Sequence, residues 1–188
     1  MTSDQVVPGN RATVTTSPTH GIGVTELRAL QRPLKDGYRD HPESAQVTSV
    51  AEARGGRDSI TATVESWAVP IRAGFHKAVG GDGVDACSGD ILLQGLASCA
   101  GGTLASVATP MRIELRAATV RATGHWDARG TLGLDKSVPV GFTAIDLSFD
   151  LDTDADDQSV ARLLELTERY CVVAQTLRQP PEITISRA

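Results

Sequence analysis

The spacing of apolar residues changes period several times along the chain. Leu27, Leu30 and Leu34 recur at helical spacing among charged residues between Val24 and Tyr38, which predicts an N-terminal helical arm. Pro33 lies inside that pattern and predicts a kink or break there. Val47, Ser49, Ala51 and Ala53 then alternate over Gln46–Arg54, and Ser59–Val64 alternates again. With Arg54-Gly55-Gly56-Arg57 as the turn, this reads as a hairpin. Trp67–Phe75 predicts a third strand, which Pro70 confines to an edge or an end. Three glycines and two aspartates between Gly80 and Ser88 mark a loop. Asp90 caps or opens the next helix, which is expected to run to about Ala108 and be closed by Pro110.

Two long strands are predicted next, Ile113–Trp126 and Val138–Leu151, joined through Asp127-Ala128-Arg129-Gly130 and the loop beyond. Asp157–Tyr170 reads as an amphipathic helix with Val160, Leu163, Leu164 and Leu166 on one side. Residues 171–178 continue as a short helix, broken by Pro180 and Pro181, and Glu182–Ser186 reads as a last short strand. Residues 1 to about 20 are rich in Thr, Ser, Pro and Gly without periodicity, and are expected to form a mobile leader. The chain thus divides into a leader and helical arm, 1–45, and a domain, 46–188.

With 188 residues and 40% hydrophobic content, the chain is long enough to bury a core. Its net charge of −5 and the lack of any Lys/Arg cluster argue against nucleic acid as a partner. Three cysteines, an odd and sparse set, fit an intracellular protein with free or reactive thiols better than a disulfide scaffold. The first twenty residues lack a basic and an apolar region, so no signal peptide is expected and the location reads as cytoplasmic. Ile91–Met111 carries no charge over about the length of a bilayer span. Glycines, hydroxyl side chains, Gln94 and Pro110 dilute it, so a buried helix of a soluble protein is the expectation, not a membrane span.

On that helix, Ala97, Gly101 and Ala105 fall four apart and share a face. Small residues at this spacing suit either a sheet laid on the helix or a second copy packed against it. Cys99 lies on another stripe with Leu92, Leu96 and Thr103, where an apolar setting is expected. A buried cysteine is ordinarily inert, because burial raises its pKa and reactivity needs the thiolate. More than two turns from the helix start, Cys99 gains little from the dipole, so a side-chain cation is expected if it reacts.

Two segments together change that reading. Asp90-Ile91-Leu92-Leu93-Gln94-Gly95-Leu96-Ala97-Ser98-Cys99 resembles the acidic-aliphatic run that leads to a helix cysteine in the OsmC/Ohr family. Cys171-Val172-Val173-Ala174-Gln175-Thr176-Leu177, followed by Glu182-Ile183-Thr184-Ile185, resembles the family's second cysteine motif and terminal strand. Gly80-Gly81 and Asp127-Ala128-Arg129-Gly130 fall where members carry similar residues. The resemblance spans roughly 46–188. It implies an α+β fold in which curved antiparallel sheets wrap two long central helices in an intertwined homodimer. It also implies reduction of organic hydroperoxides, with Cys99 as the peroxidatic thiol, Cys171 as the resolving one and an external dithiol as reductant. Neither metal nor flavin is required, and apolar surroundings suit a fatty or aromatic hydroperoxide.

The match has departures. The peroxidase branches hold the thiolate with an arginine and a glutamate. The glutamate position, ten before the first cysteine, is Gly89 here. Asp90 matches the acidic residue of other branches, but nine residues along a helix turn through about 900°, pointing it away from the Cys99 face. Asp90 is therefore a catalytic candidate with helix capping as the competing role. The arginine position reads Phe75-His76-Lys77-Ala78-Val79, so His76 or Lys77 is the candidate cation, ahead of Arg72; His76 as a plain surface residue is the rival reading. Cys87 is an extra thiol, incidental or an alternative resolving partner. A zinc site from His76, Cys87, Cys99 and Cys171 lacks the close ligand pair such sites use. Two other functions compete: a non-catalytic protein with the same fold binding an apolar ligand or associated with stress, and acyl transfer through a thiol nucleophile.

Overall fold

The computed structural model describes residues 23–56, 59–65 and 69–187; the expected leader lies outside them. The arm is one helix, α1 (Val24–Asp40), and it runs through Pro33 without the expected break. None of its residues is buried. The Ala29 carbonyl that loses its bonding partner at Pro33 is therefore free to be hydrated, which lowers the cost of a proline in mid-helix.

Strands β1 (Glu52–Gly56), β2 (Ser59–Glu65) and β3 (Ile71–Ala73) form an antiparallel sheet in that order. The expected hairpin is present, but its first strand begins six residues later than the alternation suggested. Gly55 and Gly56 lie within β1, where the register shifts; glycine accepts such an irregularity readily. The third strand shrinks to three residues beyond Pro70, and Trp67 lies outside the described residues. This sheet is tied to the entry of the long helix by the Gly74 N–H to the Ala86 carbonyl at 3.0 Å and by Arg72 to Asp85 at 2.9 Å.

The rest of the fold is built on α2 (Ser88–Met111), against which β4 (Ala117–His125), α4 (Asp157–Tyr170) and α5 (Val172–Arg178) pack. β4 and β5 (Ala144–Asp152) pair antiparallel along their full length, from Ala117 opposite Asp152 to His125 opposite Ala144. Alternate residues turn inward, as a half-buried ribbon requires: Val120 and Ala122 from β4, and Ile145, Leu147 and Phe149 from β5, rest on the helix cluster. The stripe of α2 that sinks into the core is Leu96, Ala100, Leu104 and Ala108, one residue before the small-residue row. Gly101 faces Val120 at ordinary contact distance, and Ala105 is exposed. Leu104 and Ala108 meet Leu163 of α4 in a second cluster.

Three sequence expectations are corrected here. The N-cap of α2 is Cys87, whose thiol accepts from the Asp90 N–H at 3.3 Å, so the helix starts at Ser88. Pro110 sits in the last turn and does not end the helix. Closure comes from Arg112 in the left-handed region at φ 58°, with the Ile113 N–H bonded back to the Ala108 carbonyl at 3.1 Å. Glu182–Ser186 is not a strand, since among the described residues no sheet edge pairs with it. α2 is long and apolar enough to cross a membrane, with a mean hydropathy of 1.5. In this fold its Leu96, Ala100, Leu104 and Ala108 stripe is buried in the core.

Asp127-Ala128-Arg129-Gly130 has a structural explanation. Asp127 caps the short helix α3 (Ala128–Thr131) through the Arg129 N–H and holds the Arg129 guanidinium at 2.6 Å. Gly130 is buried against backbone: a Cβ there would lie 2.4 Å from the Pro139 carbonyl oxygen.

Candidate active site

Cys171 stands at the joint between α4 and α5. It ends α4 by donating its N–H to the Thr167 carbonyl at 2.9 Å, takes an extended conformation (φ −74°, ψ 106°), and begins α5 by accepting from the Gln175 N–H at 2.9 Å. The joint is clamped by Gln175 Nε2 donating to the Glu168 carbonyl at 2.8 Å and by Arg178 paired with Glu168 at 2.7 Å. These bonds aim the Cys171 side chain and the leading N–H groups of α5 at the same stretch of α2. Cys171 is fully buried beside Leu96 and Ala100, and Cys99 packs against this cluster.

The two thiols are not equivalent. Burial pushes the Cys99 thiol up, yet it ends below the ordinary cysteine value. The Val173 N–H, the Cys171 thiol, the Val172 N–H and the Thr103 hydroxyl act in the opposite direction. Thr103 donates its one proton to the Cys99 carbonyl at 2.8 Å, so the two N–H groups and the Cys171 thiol are the donors that count. Cys171 moves the other way: burial pushes it up, against an opposing bond from the Ala174 N–H, and the neighbouring Cys99 raises it further. Cys99 is therefore the more acidic thiol of the pair and Cys171 the less acidic one. The lowering comes from backbone N–H groups at the start of α5 together with the Cys171 thiol. Backbone groups carry no mark in a sequence; the Cys-Val-Val step after a predicted helix end was the only available signal.

His76 and Asp90 are brought together with Cys87, and not with Cys99. His76 Nδ1 accepts from the Ala78 N–H at 3.1 Å, and its ring meets Trp126 edge-on at 5.3 Å. Asp90 is exposed in the first turn of α2, where a carboxylate favours the helix dipole. Nine residues separate it from Cys99, about 13.5 Å along the axis, too far for contact within one chain. The four residues of the considered zinc set split likewise, two at the start of α2 and two near its middle. Lys77 reaches toward Gly83, whose Cβ position its side chain would meet.

The start of α2 also explains Gly89. A Cβ there would lie 3.3 Å from Phe142 Cζ, and one on Gly124 would lie 2.4 Å from Phe142 Cε1. The Phe142 ring thus fills the space between α2 and β4 beside the position where the peroxidase branches carry a glutamate. It forms part of an apolar cavity of about 320 Å³, with Phe75, Val79, Trp126 and Val140 in its wall and His76 and Cys87 at its edge.

An antiparallel ribbon laid on a long helix, with a second helix pair presenting one cysteine to another, defines a dithiol protein of mixed α and β structure. A family model for OsmC-like protein matches residues 80–186, and the chain belongs to that family. No curated protein matches the sequence. Among solved structures, it is similar to an OsmC-like protein from Mycoplasma pneumoniae (TM-score 0.58, 19% identity, 72% of this chain and 90% of that one). It is also similar to organic hydroperoxide resistance proteins from Elizabethkingia anophelis (TM-score 0.55, 17% identity, 72% and 92%) and Legionella pneumophila (TM-score 0.50, 20% identity, 71% and 91%). At these identities the likeness establishes the fold.

Proposed function

We propose that the chain reduces organic hydroperoxides through Cys99 and Cys171. The observation that carries this reading is the packing of Cys99 on α2 against the buried Cys171 at the start of α5, with the Cys99 thiol lowered and the Cys171 thiol raised. The Cys99 thiolate attacks the distal oxygen of ROOH and the O–O bond breaks. Cys99 becomes a sulfenic acid, and the alkoxide leaves as ROH after taking a proton. The Cys171 thiol then condenses with the sulfenic acid, forming a disulfide and releasing water. An external dithiol returns both cysteines to thiols and leaves as its own disulfide. The protein acts as a cytoplasmic homodimer without metal or flavin. The exposed Leu92 on α2 and Ile183 and Ile185 at the C-terminal end are apolar surface that a second copy would cover.

The test is thiol loss in a single turnover with cumene hydroperoxide or hydrogen peroxide, followed by non-reducing mass mapping. Rapid formation of a Cys99–Cys171 disulfide with the organic peroxide is expected, and full turnover by Cys99→Ser would refute the assignment. The apolar cavity beside Phe142 favours a second reading, a non-catalytic carrier of an apolar ligand. In that case the Cys99→Ser/Cys171→Ser protein would bind ligand as well as the wild type, and the thiols would stay reduced under peroxide.

A further inference from the structure

Cys99 is half-buried, and its open side faces a second space. A cleft of about 720 Å³ is floored by α2 from Ser98 to Val107, and Tyr170 together with Gln31 and Lys35 of the arm completes its lining. Lys35 is the only cationic side chain there. The neighbouring Arg32 and Arg39 are both paired with Asp36, whereas Lys35 Nζ donates at 3.0 Å to the neutral Gln31 Oε1. Among the described residues no carboxylate pairs with it. An ammonium has three donors, so Lys35 is held in place by Gln31 with hydrogen-bonding capacity to spare.

The floor extends about 13.5 Å along the helix, nine residues at the usual rise. Gly102, Thr103, Ser106 and Val107 along it carry small or apolar side chains, so a methylene chain can lie along them. A cleft with a nucleophilic sulfur and one unneutralised cation complements a molecule with an electrophilic group and an anionic group on one chain. We propose that Lys35, braced by Gln31, is a specificity-determining residue that receives the carboxylate of an organic hydroperoxide whose O–O group lies at Cys99. This rests on the hydroperoxide reading above. It gives the arm, which lies outside the matched family region and contributes nothing to the core, a role in substrate selection.

The test compares the hydroperoxide of linoleic acid with that of its methyl ester, below their aggregation concentrations, as a ratio of kcat/KM within each protein. An exposed ion pair is worth up to about 1 kcal/mol, so the wild type should favour the acid by about fivefold, expressed in KM. Lys35→Met should bring the ratio to about one, and Lys35→Arg should restore it. The same ratio is read in calorimetric binding of linoleic acid and its methyl ester to the Cys99→Ser protein. Lys35 is thereby judged even if no hydroperoxide, cumene hydroperoxide included, is turned over, which would sink the hydroperoxide reading alone. A ratio of one in both assays with Lys35 intact, or a preference that survives in Lys35→Met, overturns the role of Lys35.

Discussion

Alanine at Gly124 tests the packing that joins the ribbon to the start of α2. Gly124 lies in β4 and has no positive φ, so alanine fits the backbone, and by conformational entropy alone it should stabilise by about 0.5–1 kcal/mol. The added methyl would lie 2.4 and 2.6 Å from Phe142 Cε1 and Cδ1 and 3.1 Å from Leu93 Cδ1. The ring must therefore shift from its place between α2 and β4 to admit the methyl. Overpacking of this kind costs about 1–3 kcal/mol, leaving a net loss of about 1–2 kcal/mol. With a urea m-value of about 2 kcal/mol/M, the midpoint should fall by roughly 0.5–1 M. In a Phe142→Ala background the clash is gone and the same change should be neutral or slightly stabilising, giving a coupling of about 2 kcal/mol in the cycle. Equal effects of Gly124→Ala in both backgrounds would refute the packing argument.

Three further outcomes are expected. In a Cys87→Ser background, Cys171→Ala removes the thiol that donates to Cys99, so the Cys99 pKa should rise toward its ordinary value. Its alkylation rate by iodoacetamide should then fall at neutral pH and recover only at more alkaline pH, whereas a shift toward acid would contradict the donor role. Leu163→Ala, at a fully buried position against Leu104 and Ala108, should cost about 2–5 kcal/mol in urea unfolding. Gly130→Ala would press a methyl on the Pro139 and Val138 carbonyl oxygens, which cannot rotate aside, and should cost about 2–3 kcal/mol; an unchanged midpoint would show that this loop is loose.

What could be read from the residues followed the physics of side chains. Asp157–Tyr170 matched its helix because an acidic cap, a clean apolar stripe and a cysteine-valine exit all agree. The β4–β5 ribbon was legible from alternation, though each strand is trimmed where its end has no opposite partner. Cys87 was missed as a cap because a thiol is a weak acceptor and Asp90 offered the commoner chemistry. Pro110 was overread, since a proline in a last turn costs a single bond that the αL turn at Arg112 makes tolerable. The expected strand at Glu182–Ser186 depends on a neighbour, which no local pattern specifies. The pairing of Cys99 with Cys171 came from family resemblance. Besides the Cys171 thiol, the groups that lower the Cys99 pKa are the main-chain N–H groups of Val172 and Val173, brought to it by the α4–α5 joint, and a side-chain alphabet does not record them.

That joint has a consequence for how the protein can change over generations. One residue break delivers both the thiol that would resolve the sulfur of Cys99 and the N–H groups that make that sulfur acidic. A substitution that tilts α5, for instance at Glu168, Gln175 or Arg178, therefore alters nucleophile strength and the reach of the second cysteine at once. The two properties form a single inherited trait on the α5 side. Only replacements on the α2 side of the pair offer a route to adjusting one without the other.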